Sequence, residues 1–506
     1  MNKQDILKLL TNGEHVTLEC KRAKAEVPKS VWETYSAFAN TMGGYILLGI
    51  VEDRNEKDAQ KRFHLAGVDD ANKIVKDFWN TLHSDKVNEN ILTEDDVETV
   101  NVDGMQIVCI HVPQADWQLK PIYLNENVYK GTYRRNHEGD FRCSERQVRA
   151  MIRDSFEDGN DGIILEHYGM DDIDLDTLHR YRTLFRFWND GHVWNEVDDK
   201  SFLRNLGGYL VDRESGREGL SVAGLMMFGK GLPVRERFDN FRMDYINFCN
   251  LIGEERYSDR LTYDGRWENN LYQFFSIVLP KMTFDLPRPF RMEGLQRVDD
   301  TPQHKAVREA FTNAIIHADL MMDAGVLRIE KHDDCLCFRN PGLLKLPIEQ
   351  IYQGGISKAR NPRIQNMLRM IGYGENVGSG FPMIVNAWEE TTWGKPKLSN
   401  KIEVDEVELV LPLPTGVTKD VVKDVAKDVV KELTERQKFI LALISQNPSS
   451  SAKSISETIS EMSPGKLPIT DRTIQRDLAE LQLIGILTRE GGRKSGKWVI
   501  LKPFEK

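Results

Sequence analysis

The sequence has few cysteines, and they form no recognisable metal-binding pattern. Six are spread over 506 residues, and only Cys335 and Cys337 lie close together in the chain. A zinc site built on cysteine pairs needs a second pair, which the sequence does not supply. We therefore expect reduced thiols in a cytoplasmic protein rather than a disulfide framework.

Long apolar runs are also missing. The sequence contains no stretch of about 18 apolar residues, the length that could cross a membrane. The opening residues, MNKQDILKLL, lack the apolar core of a signal peptide. We therefore expect no membrane partner. The net charge of −10 argues against a protein that coats nucleic acid along its whole surface, but it allows local basic patches.

What is present is a long chain of globular composition, whose length predicts three or four domains. Residues 308–320, REAFTNAIIHADL, have apolar side chains at helical spacing. Glu309, Asn313 and His317 are four residues apart and form a polar row on one face of this predicted helix. Such a row can hold a hydrated Mg²⁺. For an isolated row, a solvated helix face would be the better interpretation.

The residues that follow this helix favour the ligand-binding interpretation. Residues 326–330 and 335–339 predict a β-hairpin that ends in Asn340-Pro341-Gly342. A loop of small and basic residues, 354–362, and a glycine-rich helix start, 372–380, come next. Backbone N–H groups at such a helix start can bind phosphate. This order of motifs resembles the GHKL ATP-binding fold of gyrase, histidine kinases and MutL, in the variant found in bacterial Schlafen-type transcription regulators.

The resemblance implies ATP and Mg²⁺ as cofactors and assigns roles to individual residues. Glu309 would activate water, Asn313 would ligate Mg²⁺, and residues 354–361 would form a mobile lid. The predicted ATP-binding residues are Asn313, His317, Asn340, Gly342, Gly355, Ser357, Arg360, Asn361, Gly378 and Gly380. Asn340 stands where the wider family has an adenine-reading aspartate. It is therefore open whether ATP is hydrolysed or only sensed, and a degenerate structural domain is the alternative.

The first 155 residues contain a second group of candidate catalytic residues. Alternation over residues 16–21 predicts a strand that places Glu19 and Lys21 on one face, and Glu14 lies just before it. A continuous apolar run, 45–51, predicts a central strand that is followed by Glu52 and Asp53. Carboxylates beside a lysine suit a metal or phosphoryl-transfer site. From spacing alone, an exposed strand with alternating charges is the better interpretation.

The motifs GEHVTLECK, SAFANTMGGYILLGIVED and GTYRRN resemble the Schlafen/AlbA-type domain. In Schlafen proteins this domain is an RNA-cleaving core with an acidic metal-binding triad. The resemblance implies that Glu14, Glu19 and Asp53 bind Mg²⁺ or Mn²⁺, with Lys21 alongside, as a candidate catalytic site. A cationic side suited to phosphates, or a solvated surface, is predicted for Arg134, Arg135, Arg142 and Arg146.

The C-terminal sequence predicts a winged helix-turn-helix. Residues 417–432 repeat V-x-K-D and predict a linker, either a docking helix or a solvated spacer. Three predicted helices follow, and two strands flank the basic segment GGRKSGK. This arrangement resembles the DNA-binding module of many bacterial regulators, although winged helices also bind proteins. The predicted DNA contacts are Arg472, Thr473, Gln475, Arg476, Arg493, Lys494 and Lys497.

We therefore expect a multidomain α/β and α+β protein. The predicted domains are a Schlafen/AlbA-like α+β head at 1–155, a connecting domain at 156–299, a GHKL-like α/β sandwich at 300–415, a linker at 416–433 and a winged helix at 434–506. The expected function is a homo-oligomeric regulator in which ATP occupancy controls DNA binding. The alternative is an ATP-gated, metal-dependent nuclease of Schlafen type that acts on RNA or tRNA in stress or phage defence.

Overall fold

The computed structural model divides into two compact units, Met1–Pro414 and Thr415–Lys506. It describes residues 2–12, 15–53, 56, 62–137, 139–157, 159–251, 253–287, 292–293, 296–297, 300–374 and 378–414 of the first unit. In the second unit it describes residues 437, 440–441, 443–444, 448, 450–461, 474–475, 477–478, 481, 487–490 and 497–500. Within these ranges, no helix is both long and apolar enough to span a membrane.

The N-terminal part of the first unit is built on a four-stranded sheet of order β1-β2-β6-β5, in which only β1 and β2 are parallel. Its elements are α1 Lys3–Asn12, β1 Leu18–Lys21, α2 Val31–Asn40, β2 Gly44–Leu48, β3 Ile50–Glu52, β4 Phe63–Leu65, α3 Ala71–Leu82, β5 Val97–Val102, β6 Met105–Val112, α4 Val128–Gly131, β7 Tyr133–Asn136, β8 Gly139–Arg142 and α5 Glu145–Asp154. Small β3–β4 and β7–β8 hairpins complete it.

The apolar run predicted as one strand is two strands. Strands β2 and β3 are separated by Gly49, whose φ of +99° is a conformation that β-branched and bulky residues avoid. Side chains of β2 point to both faces of the sheet. Ile46 and Leu48 pack with α2 and α3, whereas Leu47 packs with α1. Burial on both faces explains why this segment is continuously apolar instead of alternating.

The rest of the first unit surrounds a six-stranded sheet of order β12-β11-β15-β16-β18-β17. Its elements are α6 Leu175–Trp188, α7 Asp199–Leu206, β9 Tyr209–Val211, β10 Glu218–Leu220, α8 Val222–Phe228, α9 Gly231–Arg237, β11 Arg242–Asn247, β12 Asp259–Leu261, α10 Leu271–Thr283, β13 Met292–Glu293, β14 Gln296–Arg297, α11 Pro302–Ile316, β15 Val326–Lys331, β16 Cys335–Pro341, α12 Ile348–Gln353, α13 Pro362–Arg369, α14 Gly380–Glu389, β17 Lys397–Lys401 and β18 Glu406–Pro412.

This sheet crosses the predicted boundary between residues 299 and 300. Strand β11 pairs in parallel with β15, and β12 pairs with β11. Two strands from the predicted connecting domain therefore belong to the same sheet as the predicted ATP-binding domain. Sequence patterns identify strands, but they do not identify which distant strands pair.

The two faces of the six-stranded sheet differ in character. One face carries apolar side chains such as Ile329 and Phe338, which pack into the largest core together with α10, α11 and α14. The other face carries charged side chains, and Arg339 Nε lies 2.8 Å from Glu408 Oε1. The alternation of apolar and charged residues along β15 and β16 produces this division.

Helix α11 begins and ends earlier than the sequence predicted. Thr301 caps its start by accepting a hydrogen bond from the backbone N–H of His304, and Pro302 occupies the first turn. The helix ends at Ile316, so His317 is its C-terminal cap and residues 318–320 lie beyond it. Glu309 and Asn313 are therefore helical, whereas His317 lies at the helix end.

The second unit contains α15 Ala452–Glu461 and an antiparallel pair, β19 Leu487–Glu490 and β20 Lys497–Ile500. A small core includes Ile440, Ile455, Ile474 and Trp498. The predicted repeat linker, 417–432, lies outside the described residues.

Candidate functional site

One cavity brings together most of the residues predicted to bind ATP. It lies between α11, strands β16, β17 and β18, and the loops that precede α13 and α14. Its lining includes Glu309, Asn313, His317, Asn340, Ser357, Arg360, Gly378 and Gly380. Residues separated by some 70 positions in the chain therefore meet at one place, because the sheet and α11 pack face to face.

The floor of the cavity is an apolar patch of the sheet with one amide in it. Phe338 pairs with Leu409, and Asn340 pairs with Val407 on the neighbouring strand. Asn340 is only 5% exposed, and its side-chain nitrogen has no hydrogen-bond partner among the described residues. An unsatisfied buried donor costs about 1–3 kcal/mol. A flat apolar ligand with a polar edge would satisfy it.

The wall opposite the floor is the polar side of α11. The side-chain nitrogen of Asn313 donates to Glu309 Oε1 over 3.2 Å. The amide oxygen of Asn313, the atom that can ligate a cation, is therefore not used in this bond. Glu309 lies against Gly380, the first residue of α14, so closely that a Cβ atom there would overlap Oε1. A side chain at this position would have to displace the carboxylate.

Two lysines that the sequence interpretation missed also line the cavity. The amino group of Lys345 lies 4.5 Å from the ring centre of Trp117, and that of Lys358 lies 5.6 Å from it. Burial, followed by the charges of Arg360 and Lys358, lowers the pKa of Lys345 to about 8, although Asp154 opposes this shift. Trp117 lies in the N-terminal part of the chain, so no local motif could have identified the pair.

His317 is neutral in this cavity at physiological pH. Burial, together with the nearby charges of Arg360 and Lys345, lowers its pKa to about 4. A neutral imidazole can donate one hydrogen bond and accept another, but it adds no positive charge that would attract a phosphate.

Arg360 lines the cavity, but most of its guanidinium is used in protein contacts. Nε and Nη2 bind the two carboxylate oxygens of Asp154 at 2.9 and 2.8 Å. Nη1 donates to the carbonyl oxygen of His317, and Nη2 also donates to that of Leu343. Arg360 therefore ties the predicted lid to α11, to the loop after β16 and to α5.

Three predicted ATP-binding residues do not line the cavity. Asn361 is fully buried, and its side-chain nitrogen donates to the carbonyl oxygens of Ile315 and Ala318 at the end of α11. A Cβ atom at Gly342 would meet the guanidinium of Arg360. Gly355 donates its N–H to the carbonyl oxygen of Gly378 over 2.9 Å. These residues hold the walls and the loops around the cavity.

The predicted acidic site of the N-terminal part is only partly described. Glu14 lies outside the described residues. Glu19 contacts Lys21 Nζ at 2.7 Å and Arg135 Nη1 at 2.8 Å, and Asp53 is exposed at the end of the β3 strand. A cation bound at Glu19 would have to compete with these two positive side chains.

Two of the arginines predicted as a cationic surface are buried in ion pairs. Arg135 is 1% exposed and contacts Glu19 and Asp140, whereas Arg134 is 6% exposed and binds Asp405 at 2.6 Å. This prediction is wrong for both, because each has a carboxylate partner from a distant part of the chain, Glu19 for Arg135 and Asp405 for Arg134. Arg142 and Arg146 are exposed.

Of the predicted DNA contacts, the structure describes Gln475 and Lys497, and both are exposed. Their neighbours Ile474 and Trp498 are buried in the small core of the second unit. The other five predicted contacts lie outside the described residues: Arg472, Thr473, Arg476, Arg493 and Lys494.

Comparison with protein families identifies three regions. The Schlafen AlbA_2 family matches residues 14–144. A domain of unknown function, DUF8451, matches residues 149–244. The family HATPase_c_4, described as "Putative ATP-dependent DNA helicase recG C-terminal", matches residues 326–411. This last match includes the floor and the predicted lid, whereas α11 lies upstream of it. No curated protein matches the chain significantly.

Two solved structures align with the chain. The DIP2311 protein from Corynebacterium diphtheriae is 17% identical, with 98% of this chain and 95% of that chain covered and a TM-score of 0.39. The N-terminal domain of a RecG-related protein from Nitrosomonas europaea is 31% identical, with 28% of this chain and 94% of that chain covered and a TM-score of 0.23. Both TM-scores are too low to establish a shared global fold.

The close approach of Glu309 to Gly380 can be tested by a double-mutant cycle. We expect Gly380→Ala to destabilise the first unit by about 1–3 kcal/mol, because the added Cβ must displace a buried carboxylate. In a Glu309→Ala background the same change should be neutral or stabilising, since alanine is otherwise the better helix former. Thermal unfolding of the four proteins measures the coupling.

The matched control is Gly169→Ala, where no atom lies within 4 Å of the added Cβ. An equal loss of stability from Gly380→Ala in both backgrounds would show that Glu309 does not determine the glycine.

Proposed function

We propose, for a chain that is a Schlafen/AlbA-type protein with an ATPase-like domain, that the cavity binds ATP with Mg²⁺ in the manner of the GHKL fold. Nucleotide occupancy would then control nucleic-acid binding by the rest of the protein. The observation that carries the proposal is the side-chain nitrogen of Asn340, which has no hydrogen-bond partner among the described residues and lies in an otherwise apolar floor opposite the polar row of α11.

The floor is suited to a purine. Phe338, Val407 and Leu409 offer a flat apolar surface, and the amide of Asn340 carries one donor and one acceptor. The Watson–Crick edge of adenine carries the complementary pair, an acceptor at N1 and a donor at N6. Asn340 can therefore replace the aspartate of the wider family without leaving a buried donor unsatisfied.

Glu309 and Asn313 are suited to the metal and phosphate end of the ligand. The amide oxygen of Asn313 is a hard ligand of the kind that Mg²⁺ prefers, and Mg²⁺ binds through few protein oxygens together with phosphates. The N-terminus of α14, with Gly378 and Gly380, would face the phosphates, and Lys345 and Lys358 would balance their charge. When bound, Mg²⁺ would neutralise phosphate charge. Glu309 is then positioned to accept a proton from water.

The lid is coupled to the N-terminal part of the chain through buried ion pairs. Arg360 binds Asp154 on α5, and Arg153 of the same helix binds Asp319 just beyond α11. Trp117 contributes its ring to the two lysines of the cavity. A movement of the lid on nucleotide binding would have to move or break these contacts. This supports transmission of occupancy to the Schlafen/AlbA domain.

A regulator is favoured over a nuclease. Glu19 is already neutralised by Lys21 and Arg135. The GHKL-like sandwich would act as the switch, and the C-terminal unit, with its exposed Gln475 and Lys497, would be a winged helix that binds DNA.

Nucleotide binding tests the first part of the proposal. Isothermal titration with ATP and Mg²⁺ should give one site per chain, and Asn340→Leu should weaken binding by about tenfold or more because the base loses both hydrogen bonds. Asn313→Ala should weaken binding in Mg²⁺ but change it little in EDTA.

Asn366→Ala, on α13 outside the cavity lining, is the control. Equal affinities for wild type and Asn340→Leu would remove the base-binding assignment.

The lowered pKa of Lys345 predicts a pH dependence. Below about pH 8 the amino group of Lys345 is charged. Above about pH 8 it is mostly neutral and must take up a proton before it can pair with phosphate. We expect the Kd for ATP to rise about tenfold between about pH 7 and about pH 9. Lys345→Met should bind more weakly and show a flat profile. A wild-type profile that is equally flat would place Lys345 away from the phosphates.

Control of DNA binding is tested by gel shift on duplex DNA from upstream of the gene. We expect ATP with Mg²⁺ to change the Kd for DNA about tenfold or more in wild type, and to change nothing in Asn313→Ala. The double variant Arg472→Ala/Arg476→Ala should lose DNA binding with or without nucleotide, as phosphate contacts are lost. Binding that is indifferent to nucleotide in wild type would refute the switch.

A further inference from the structure

The polar face of the six-stranded sheet carries a second group of potential ligands, remote from the cavity floor. Register of β15 and β16 places Glu330 directly opposite Cys337. The next pair on the same face is His332 and Cys335, since the backbone N–H of His332 binds the carbonyl oxygen of Cys335 at the hairpin turn. Two cross-strand pairs thus bring two thiols, an imidazole and a carboxylate to one end of the hairpin.

Three of these four residues bring their donor atoms close together, and the fourth, Cys335, lies beside Cys337. The sulfurs of Cys335 and Cys337 are 3.7 Å apart, and His332 Nε2 lies 3.3 Å from Glu330 Oε2. The donor atoms of Glu330, His332 and Cys337 all lie within 4.8 Å of one another. It is the only such group found among the described residues.

Two of these separations equal edges of a zinc tetrahedron. With Zn–S bonds of about 2.3 Å and tetrahedral angles, two sulfurs lie about 3.8 Å apart. With Zn–N and Zn–O bonds of about 2.0–2.1 Å, nitrogen and oxygen lie about 3.4 Å apart. The two separations in the structure, 3.7 and 3.3 Å, are each within about 0.1 Å of these values.

The surroundings orient the imidazole of His332 and Oε2 of Glu330 toward each other. The ring of His332 stacks on Phe248 with ring centres 4.8 Å apart. Arg339 and Arg328 approach Glu330 through Oε1, at 3.4 and 3.9 Å, so Oε2 faces the imidazole. The arginines are balanced by Glu408, which lies 2.8 Å from Arg339. Such supporting contacts are typical of metal ligands.

We propose that Glu330, His332 and Cys337 bind Zn²⁺ or a similar thiophilic divalent ion, which joins β15 to β16, and that Cys335 moves from its place beside Cys337 to complete a tetrahedron. Binding releases two thiol protons to solvent and forms two metal–sulfur bonds. The imidazole and Oε2 each donate a lone pair, and no electron is transferred. The site holds the strand that carries Asn340 to the cavity floor, but it does not depend on ATP binding there.

Zinc content and cobalt substitution of the full chain test this site. After reduction and removal of metal with a chelator, we expect one Zn²⁺ per chain to rebind. Co²⁺ should give the visible bands of tetrahedral coordination and thiolate-to-cobalt charge transfer.

Variants identify the ligands. Cys335→Ser and Cys337→Ser should lose stoichiometric metal and the charge-transfer band, whereas the control Cys20→Ser should keep both. His332→Ala leaves both thiols in place, so it should weaken binding about 10-fold or more without removing the charge-transfer band. Circular dichroism of each apo variant checks that it is folded.

Several results would overturn the site. One is a wild-type chain that binds no stoichiometric metal in the reduced state. Another is metal that the double cysteine variant retains. A third is a Cys335–Cys337 disulfide in protein purified under reducing conditions.

Discussion

The contact on which the cavity depends is the buried guanidinium of Arg360. Arg360 belongs to the loop before α13, and its guanidinium joins this loop to three other segments. It binds the carboxylate of Asp154 on α5, the carbonyl oxygen of His317 at the end of α11 and that of Leu343 after β16. Removing one partner of a buried ion pair costs about 3–5 kcal/mol, because the other charge remains buried. The position of the lid relative to α11 therefore depends on Asp154, a residue of the N-terminal part of the first unit.

Strand β16 connects the two candidate sites. Phe338 and Asn340 point to the helix-covered face and form the floor of the cavity. Cys335 and Cys337 point to the opposite, charged face, together with Glu330 from β15. The period-2 alternation of a strand separates the two groups while keeping them within a few residues. A change in the position of the hairpin would therefore be felt on both faces of the sheet.

Sequence patterns predicted the local elements well where they were strongly periodic. The hairpin of β15 and β16, the helix start at Gly380 and the polar residues Glu309 and Asn313 were all found from spacing, because each is determined within a few residues. The resemblance also named Asn340, which lines the cavity in the structure. The predictions were wrong where packing between distant parts of the chain determines the local structure or the ion pairs. The end of α11, the break at Gly49 and the ion pairs of Arg134 and Arg135 depend on neighbours distant in the chain.

By itself, the sequence determined which residues could share a helix face or a strand face, since that follows from backbone periodicity. The sequence also identified the regions that match the Schlafen/AlbA and ATPase-like families. Only the tertiary structure decided that Trp117 lies beside Lys345, that β11 extends the sheet of β15, and that His332 and Glu330 lie close to Cys337. These contacts form because burial of apolar surface and pairing of polar groups offset the conformational entropy that the chain loses on folding. That offset involves the whole domain, so a local stretch of sequence does not reveal it.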